Sequence, residues 1–318
     1  MNSALAKMVT IVALAVSFLF AQVPTGGEQP GGTSSTALSV VTYNVEWLGA
    51  PERAKLDISR TAQIRQAAQD IIDGGGAVYA LQEIIVDPVN GDAFTDLLNE
   101  LNRLDKETWA GGYNEKFSFW WNPDFTRFPA QRQAFVYKAS VFSNVQFQTL
   151  LTEEVPADDA RFASGRLPFM MTADVKLGDT TTQIRLVCLH LKCCKDGTNR
   201  RRASMHTLAE ALHKSYRNDQ VMVLGDMNVA DAGGADGEMA AWGLYSDRDS
   251  NGVKDYSHAA GSVADLDWND IDHILISDEL LDEYTATPEK QRNITLKTTH
   301  SDHQPIKTTL VFAGSGGS

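Results

Sequence analysis

The chain reads as an α/β protein, and three observations predict it. Short apolar runs rich in Val, Ile and Leu recur along the sequence, each ending in polar residues. Stretches with apolar residues three and four apart, the spacing of one helix face, fall between several of them. The apolar runs are continuous rather than alternating, which fits strands in sheets covered on at least one face.

In chain order, residues 1–21, "MNSALAKMVTIVALAVSFLFA", hold one charge, Lys7, before an uncharged run. That run is too short to span a bilayer comfortably, and a small residue follows it at Ala21. The pattern describes a secretory signal peptide and predicts a secreted or periplasmic protein; a buried helix or an uncleaved anchor is the alternative. Residues 22–37, "QVPTGGEQPGGTSSTA", read as a flexible linker, and residues 313–318, "AGSGGS", as a flexible tail. Residues 38–312 contain no linker-like stretch and are expected to form one domain with a large core.

Within that domain, strands are predicted in "LSVVTYNVEWL" from Leu38, "AVYALQEI" from Ala77, "RQAFVYK" from Arg132 and "PFMMTADVKL" from Pro168. Further strands are predicted in "QIRLVCLHLK" from Gln183, "QVMVLGDMN" from Gln220, "IDHILIS" from Ile271 and "IKTTLVF" from Ile306. A helix carrying Ile64, Ala68, Ile71 and Ile72 is stopped by "GGG". A second runs from Asp92 to Leu104, and a third from Asn199 to Tyr216 with Met205, Leu208 and Leu212 on one face.

The net charge is −13, which excludes a generic polyanion binder. Any contact with phosphate must come from a local basic patch or a bound cation. Three cysteines are too few for a disulfide framework in a chain of 318 residues.

Polar residues cluster where the predicted strands end. Asn44 follows "VVTY", Glu83 follows "VYALQ", and His190 ends "RLVCL". Asp226 and Asn228 follow "VMVLG", Asp272 opens "DHILIS", and Asp302 and His303 precede "QPIKTTL". One such residue usually caps a turn. So many strand ends carrying Asn, Glu, His or Asp imply a shared cleft. Hard oxygen donors dominate the set, which suits Mg²⁺ or Mn²⁺ and suits zinc poorly.

The motifs "TYNVEWL", "LQEI", "SGRLPF", "LHLK", "GDMN", "IDHILIS" and "SDHQP" stand in the order found in the endonuclease/exonuclease/phosphatase superfamily, which the chain resembles from about residue 38 to residue 312. The resemblance implies a four-layer α-β-β-α sandwich of two packed mixed β-sheets flanked by helices. It implies Mg²⁺ held by Glu83 and Asn44, flanked by Asp302, with Glu46 a weaker candidate. It implies that His303, oriented by Asp272, contacts phosphate or activates water, and that Asp226 positions or deprotonates the water. Asn228, His190 and Arg166 would hold phosphate oxygens or the leaving group. The implied activity is phosphodiester hydrolysis, with DNA as the leading substrate. A lipid such as sphingomyelin, a small phosphoester, or a catalytically dead binding module are the alternatives. No stable protein partner is implied, so a monomer is expected.

Around His190, Lys192 and the run Arg200, Arg201 and Arg202 make a local excess of positive charge. They are expected either as solvated charges or as a phosphate-docking patch at a helix N-terminus. With His190 assigned to the cleft, a cysteine–zinc knot is disfavoured. Cys188 is expected to be buried, while Cys193 and Cys194 could form a vicinal disulfide, pair with Cys188, or stay reduced. "DRDSNGVKD" places Asp247, Asp249, Asn251 and Asp255 at calcium-loop spacing with Gly252 at the sixth position. His258 at the twelfth argues against an EF-hand, leaving a shorter structural Ca²⁺ loop or a plain Asx-turn loop. Trp120 and Trp121 could stack on a base, enter a membrane interface, or pack in the core.

Overall fold

The computed structural model describes residues 36–120, 122, 128–153, 162, 165–177, 180–229, 239, 246–248, 250–260 and 271–313. The signal-peptide segment, the linker up to residue 35, Trp121, Asp249 and residues 314–318 lie outside the described residues.

Among the described residues, thirteen strands form two sheets. The first holds β1 (Thr36–Leu48), β2 (Val78–Asp87), β4 (Trp109–Tyr113), β5 (Gln131–Lys138), β12 (Asn293–Thr295) and β13 (Ile306–Phe312), in the order β12-β13-β1-β2-β5-β4. A two-residue β3 (Gly91–Asp92) pairs with β2. The second holds β6 (Phe142–Thr149), β7 (Phe169–Leu177), β8 (Thr180–His190), β9 (Val221–Asp226), β10 (Tyr256–Ala260) and β11 (Asp272–Ser277), in the order β10-β11-β9-β8-β7-β6. The β1·β2 and β8·β9 pairs are parallel and the others antiparallel, so both sheets are mixed.

Side-chain parity builds the layers. Successive strand residues point to opposite faces. Leu38 and Val40, Leu186 and Cys188, Met222 and Leu224, and Ile274 and Ile276 meet in one core between the sheets. The alternate residues Val41, Tyr43, Tyr79 and Leu81 pack under α1 (Arg60–Gly74) and α2 (Ala93–Leu104), against Ile64, Ile71 and Leu97. Val187, Leu189 and Val223 pack under α3 (Thr198–Tyr216), against Met205, Leu208 and Leu212. The order is helix, sheet, sheet, helix. Short helices α4 (Leu281–Ala286) and α5 (Glu289–Arg292) lead into β12. Truncating a fully buried anchor such as Phe135 to Ala is expected to cost about 3–5 kcal/mol.

Local signals explain the helix ends. Ser59 Oγ accepts from Ala62 N at 3.2 Å to cap α1, and Gly75 closes it at φ 65, a left-handed turn that favours glycine.

All eight predicted strands and three predicted helices form. β1 opens at Thr36, two residues inside the segment read as linker. β3, β4, β6, β10 and β12 were not visible in the apolar pattern. β6 is largely exposed and β4 carries two glycines, so neither shows a continuous apolar run.

Candidate active site

The even-numbered residues that fill the inter-sheet core continue to its end and become polar there. Along β8, Leu186 and Cys188 are followed by His190; along β9, Met222 and Leu224 are followed by Asp226. Pairing sets His190 beside Asp226 and Asp226 beside Asp272. Across the core, Asn44 ends the same face of β1. One geometric rule thus brings four of the predicted site residues together.

Glu83 breaks the rule. Its even neighbour, Gln82, keeps the core-facing position and bonds to Thr42, the Ala80 carbonyl and Cys188 Sγ. The β2·β5 register shifts between Leu81 and Ile84, and Glu83 sits at φ 68. This bulge swings the carboxylate into the cleft. A matching irregularity in β1 puts Glu46 at φ 43 and Trp47 at φ 52, and Trp47 N donates to Glu83 Oε2 at 3.1 Å. Glu83 therefore lies within β2 at a bulge, and Asn44 lies in register within β1 just before one, rather than at the strand ends where the sequence places them.

Glycine makes the "GDMN" turn possible. A Cβ on Gly225, at φ +147, would stand 2.1 Å from the Leu189 carbonyl oxygen of the neighbouring strand. Asp226 Oδ1 then accepts from Asn228 N at 3.0 Å, and Asn228, at φ 54, donates through Nδ2 to the Leu191 carbonyl at 3.1 Å.

The cleft, about 510 Å³, is lined by Glu83, Arg166, His190, Asp226, Asn228 and His303, with Trp47, Phe119, Lys192 and Cys193 at its walls. His190 Nε2 lies 3.5 Å from Asp226 Oδ2 and 3.8 Å from Glu83 Oε1. Asn44 Nδ2 donates to Asp226 Oδ2 at 3.0 Å and Glu83 Oε1 at 3.3 Å. His303 Nδ1 donates to Asp272 Oδ2 at 2.6 Å, leaving Nε2 4.0 Å from Asp226 Oδ2. Arg166 Nη1 donates to Ser118 Oγ and Gln131 Oε1, each at 2.9 Å.

The loop bearing Asp302 and His303 is fixed from behind. The buried Asp70 carboxylate accepts from Tyr43 Oη, Thr298 Oγ1, Thr299 N and His300 Nδ1. Ser301 Oγ donates to the Asn44 carbonyl at 2.7 Å. Asp70, Thr298 and His300 were not singled out from sequence; a lone acid inside an apolar helix face was the available signal.

Burial dominates the site's electrostatics. It pushes the Asp226 carboxyl up to about 7, with Asp272 and Glu83 adding repulsion against the pull of His303. Burial also raises Glu83, opposed chiefly by Arg166, and raises Glu46, helped by Asp302. Burial, with Arg166 and His303 nearby, holds His190 well below the usual imidazole range, so it is neutral. For His303 burial acts downward, but Asp272, Asp226 and Asp302 outweigh it and lift the ring to about 11. Burial lowers Arg166 to about 10, where it stays cationic. Three buried polar atoms here have no hydrogen-bond partner: His190 Nδ1, Asp272 Oδ1 and Arg166 Nε.

Among the described residues, Glu83, His190 and Asp226 form the group whose ligand atoms lie within 4.8 Å of one another. A half-buried carboxylate, a buried carboxylate and one neutral imidazole suit a hard divalent cation, whose charge would offset the burial that raises both acids. The sequence leads one to expect Asn44, Glu83, Asp302 and Glu46 as ligands; of the three acids among them, Glu83 belongs to this group. Asn44 Oδ1 is turned to Glu46 N at 3.0 Å, and its amide nitrogen faces the carboxylates. Asp302 is exposed, its backbone N donating to Glu46 Oε2 at 2.9 Å, so this pair forms an outer rim.

The arginine patch is corrected too. Arg201 is buried and donates to the Lys192 and Cys194 carbonyls at 2.8 and 2.9 Å and to Thr198 Oγ1 at 3.0 Å, so it braces the loop. Arg202 is exposed. Arg200 is half-buried and close enough to Arg166 to disfavour its charge. Consecutive helical residues point about 100° apart, so three arginines in a row cannot grip one phosphate.

In the proposed calcium loop, Asp247 accepts from Asn251 N and Gly252 N, and Asp255 Oδ1 from Arg248 N. The polar side chains thus serve Asx-type turns, and Asp249 lies outside the described residues. Trp120 packs against the α3-side core, under Lys116 Nζ at 3.5 Å, as the packing reading expects. Cys188 is buried, as expected, donates to the Leu81 carbonyl, and is pushed by burial up to about 12.

No family model and no curated protein sequence matches the chain. Solved structures do. An endonuclease/exonuclease/phosphatase family protein from Bacteroides thetaiotaomicron matches with TM-score 0.55 and 18% identity, over 88% of this chain and 99% of that one. A mannosyl-6-phosphatase from the same species matches at 0.52 and 16%, over 86% and 99%. TDP2 of D. rerio, complexed with single-strand DNA product, matches at 0.51 and 14%, over 86% and 98%. By its fold, this chain stands with the endonuclease/exonuclease/phosphatase proteins that its motifs resemble.

Proposed function

We propose that the protein is a divalent-metal-dependent phosphodiesterase, secreted or periplasmic, that hydrolyses a P–O bond by in-line attack of water, with DNA as its leading substrate. One observation carries the reading: Glu83, Arg166, His190, Asp226 and His303 line one cleft, with Asp272 holding the His303 ring.

A cation held by Glu83 would supply positive charge to a non-bridging phosphate oxygen. The protein's own groups do the rest. Asp226 Oδ2, held by Asn44, accepts the proton of the attacking water. His303 Nε2, its ring fixed by Asp272, and the Arg166 guanidinium donate to oxygens that gain charge in the transition state. Asn228 is held at the cleft wall by its strained turn, ready to donate to the same oxygens.

DNA is favoured by the phosphodiester chemistry that the motifs imply and by the DNA product bound to the structurally similar TDP2. A second reading, a phosphatase on small phosphorylated solutes, is favoured by the bracing role of Arg201, which leaves fewer cations to follow a polymer backbone. Of the large exposed apolar residues, Phe119 stands at the cleft wall, while Val89, Leu104, Phe147, Val253 and Ile294 are spread over other elements, so among the described residues the lipid reading has one exposed aromatic ring at the cleft to rest on. A panel of plasmid DNA, RNA, sphingomyelin, a sugar phosphate and a chromogenic diester, each with Mg²⁺ and with chelator, tests the proposal. Mg²⁺-dependent DNA cleavage is expected. Turnover of the sugar phosphate alone would install the second reading, and no turnover of any ester would remove both.

A further inference from the structure

The Arg201 brace holds something other than a phosphate patch. Its guanidinium binds the carbonyls of Lys192 and Cys194, the two neighbours of Cys193. Between them, Cys194 Sγ donates to Cys193 Sγ at 2.7 Å. Cys194 is exposed, at φ 71 and ψ 167, a backbone region that residues with side chains rarely adopt. Cys193 lines the cleft beside His190 and Asp226, and the Lys192 ammonium lies 3.2 Å from its sulfur. Two thiols in contact, on a backbone pinned from both sides by a buried arginine, are pre-arranged to react with each other.

We propose that Cys193 and Cys194 are a redox modification site at the wall of the cleft, closing to a vicinal disulfide with a small-molecule disulfide as oxidant. The Cys193 thiolate, with Lys192 as counter-ion, attacks one sulfur of the oxidant and releases the first thiolate. Cys194 then loses its proton and attacks the Cys193 sulfur, releasing the second. Net, two protein thiols and one disulfide become one protein disulfide and two small thiols. Cys194 is held up in pKa by the hydrogen bond it gives Cys193, which casts it as the resolving thiol. Cys188 stays out, buried and paired with Gln82 and Leu81 across the inter-sheet core.

Closure ties both sulfurs into a small ring containing the peptide between them. That ring lies between the Lys192 and Cys194 carbonyls that Arg201 holds, so closure draws directly on the backbone that presents Lys192. The consequence is a changed presentation of Lys192 to an anionic substrate. This second part rests on the phosphodiesterase reading; the disulfide itself does not.

The test uses the full-length folded protein, reduced, then titrated with oxidised glutathione. Thiols are counted by alkylation and located by mass spectrometry, and chromogenic diester turnover is followed in parallel. The expected result is joint loss of the Cys193 and Cys194 thiols without a retained glutathione adduct, while Cys188 remains reduced. Diester turnover should change by roughly tenfold, the scale of a displaced substrate-positioning group, and return with dithiothreitol. Cys194→Ser should keep the reduced protein's turnover and trap a glutathione adduct on Cys193. Alkylation of both thiols after the titration, or a disulfide between either and Cys188, would overturn the site. Closure with unchanged turnover would overturn its effect on the cleft. A reduced protein that turns over no ester would instead count against the functional reading, and the thiol count would still decide the modification site.

Discussion

In the second sheet, His190, Asp226 and Asp272 reach the cleft by parity: each continues the row of apolar residues that fills the inter-sheet core. In the first sheet, Asn44 follows the same rule, but Glu46, Trp47 and Glu83 are delivered by bulges at positive φ. The difference separates cheap from costly placement. A polar residue at the end of a regular strand needs no unusual backbone. A residue turned out of register needs a strained conformation and a local network to hold it. Here Trp47 N and Asn44 Nδ2 supply that network to Glu83.

The largest expected effect attacks the regular side. Gly225→Ala would drive a Cβ into the β8 backbone, which cannot move without disturbing His190. A loss of about 3 kcal/mol or more is expected in chemical denaturation, the size of a severe backbone or overpacking defect. Near-native stability would show that the close strand approach does not set the Asp226 turn.

Glu83→Gln probes the bulged side and should move in the opposite direction. The folded state raises the Glu83 carboxyl above its unfolded value, so its ionisation weakens the fold as pH rises. At neutral pH in chelator, the Gln variant should therefore melt higher than the parent while losing Mg²⁺-dependent turnover. A lower melting temperature would mean that the bulge is held by the charge rather than despite it.

Arg201→Ala is expected to cost about 1–3 kcal/mol, because it strips a buried guanidinium from two carbonyls and a hydroxyl. Arg202→Ala, at an exposed position, should stay within about 0.5 kcal/mol. Equal effects would restore the view of the arginines as one surface patch.

A smaller effect concerns the support behind His303. Asp70 is held below the usual carboxylate range; burial opposes this, but His300, Thr299 and Thr298 outweigh it. A depressed folded value contributes stability above the unfolded pKa and loses it as pH falls through the folded one. Acid titration of the parent should therefore show a loss below about pH 4 that Asp70→Asn lacks.

These contrasts also explain what could be read from the sequence. The strand-end residues were legible because apolar runs that end in Asp, His or Asn show up as letters in a row. The bulges were not: nothing in "LQEI" marks Glu83 as the residue turned toward the cleft, so Asn44 and Glu83 were placed at strand ends. The Arg201 brace was hidden because consecutive letters do not show that helical neighbours point apart. Asp70 and His300 are far apart in sequence, and only the β13 register and α1 packing join them.

The central claim is that one cleft carries the chemistry, with Asp226 taking the proton of the attacking water. Its most direct test is the rate of Mg²⁺-dependent hydrolysis of a chromogenic phosphodiester by Asp226→Asn, with folding confirmed by circular dichroism. The predicted result is a fall of about 10²–10⁴-fold at unchanged fold, the range for loss of a general base. A variant that folds and hydrolyses the diester at the parent rate would contradict it.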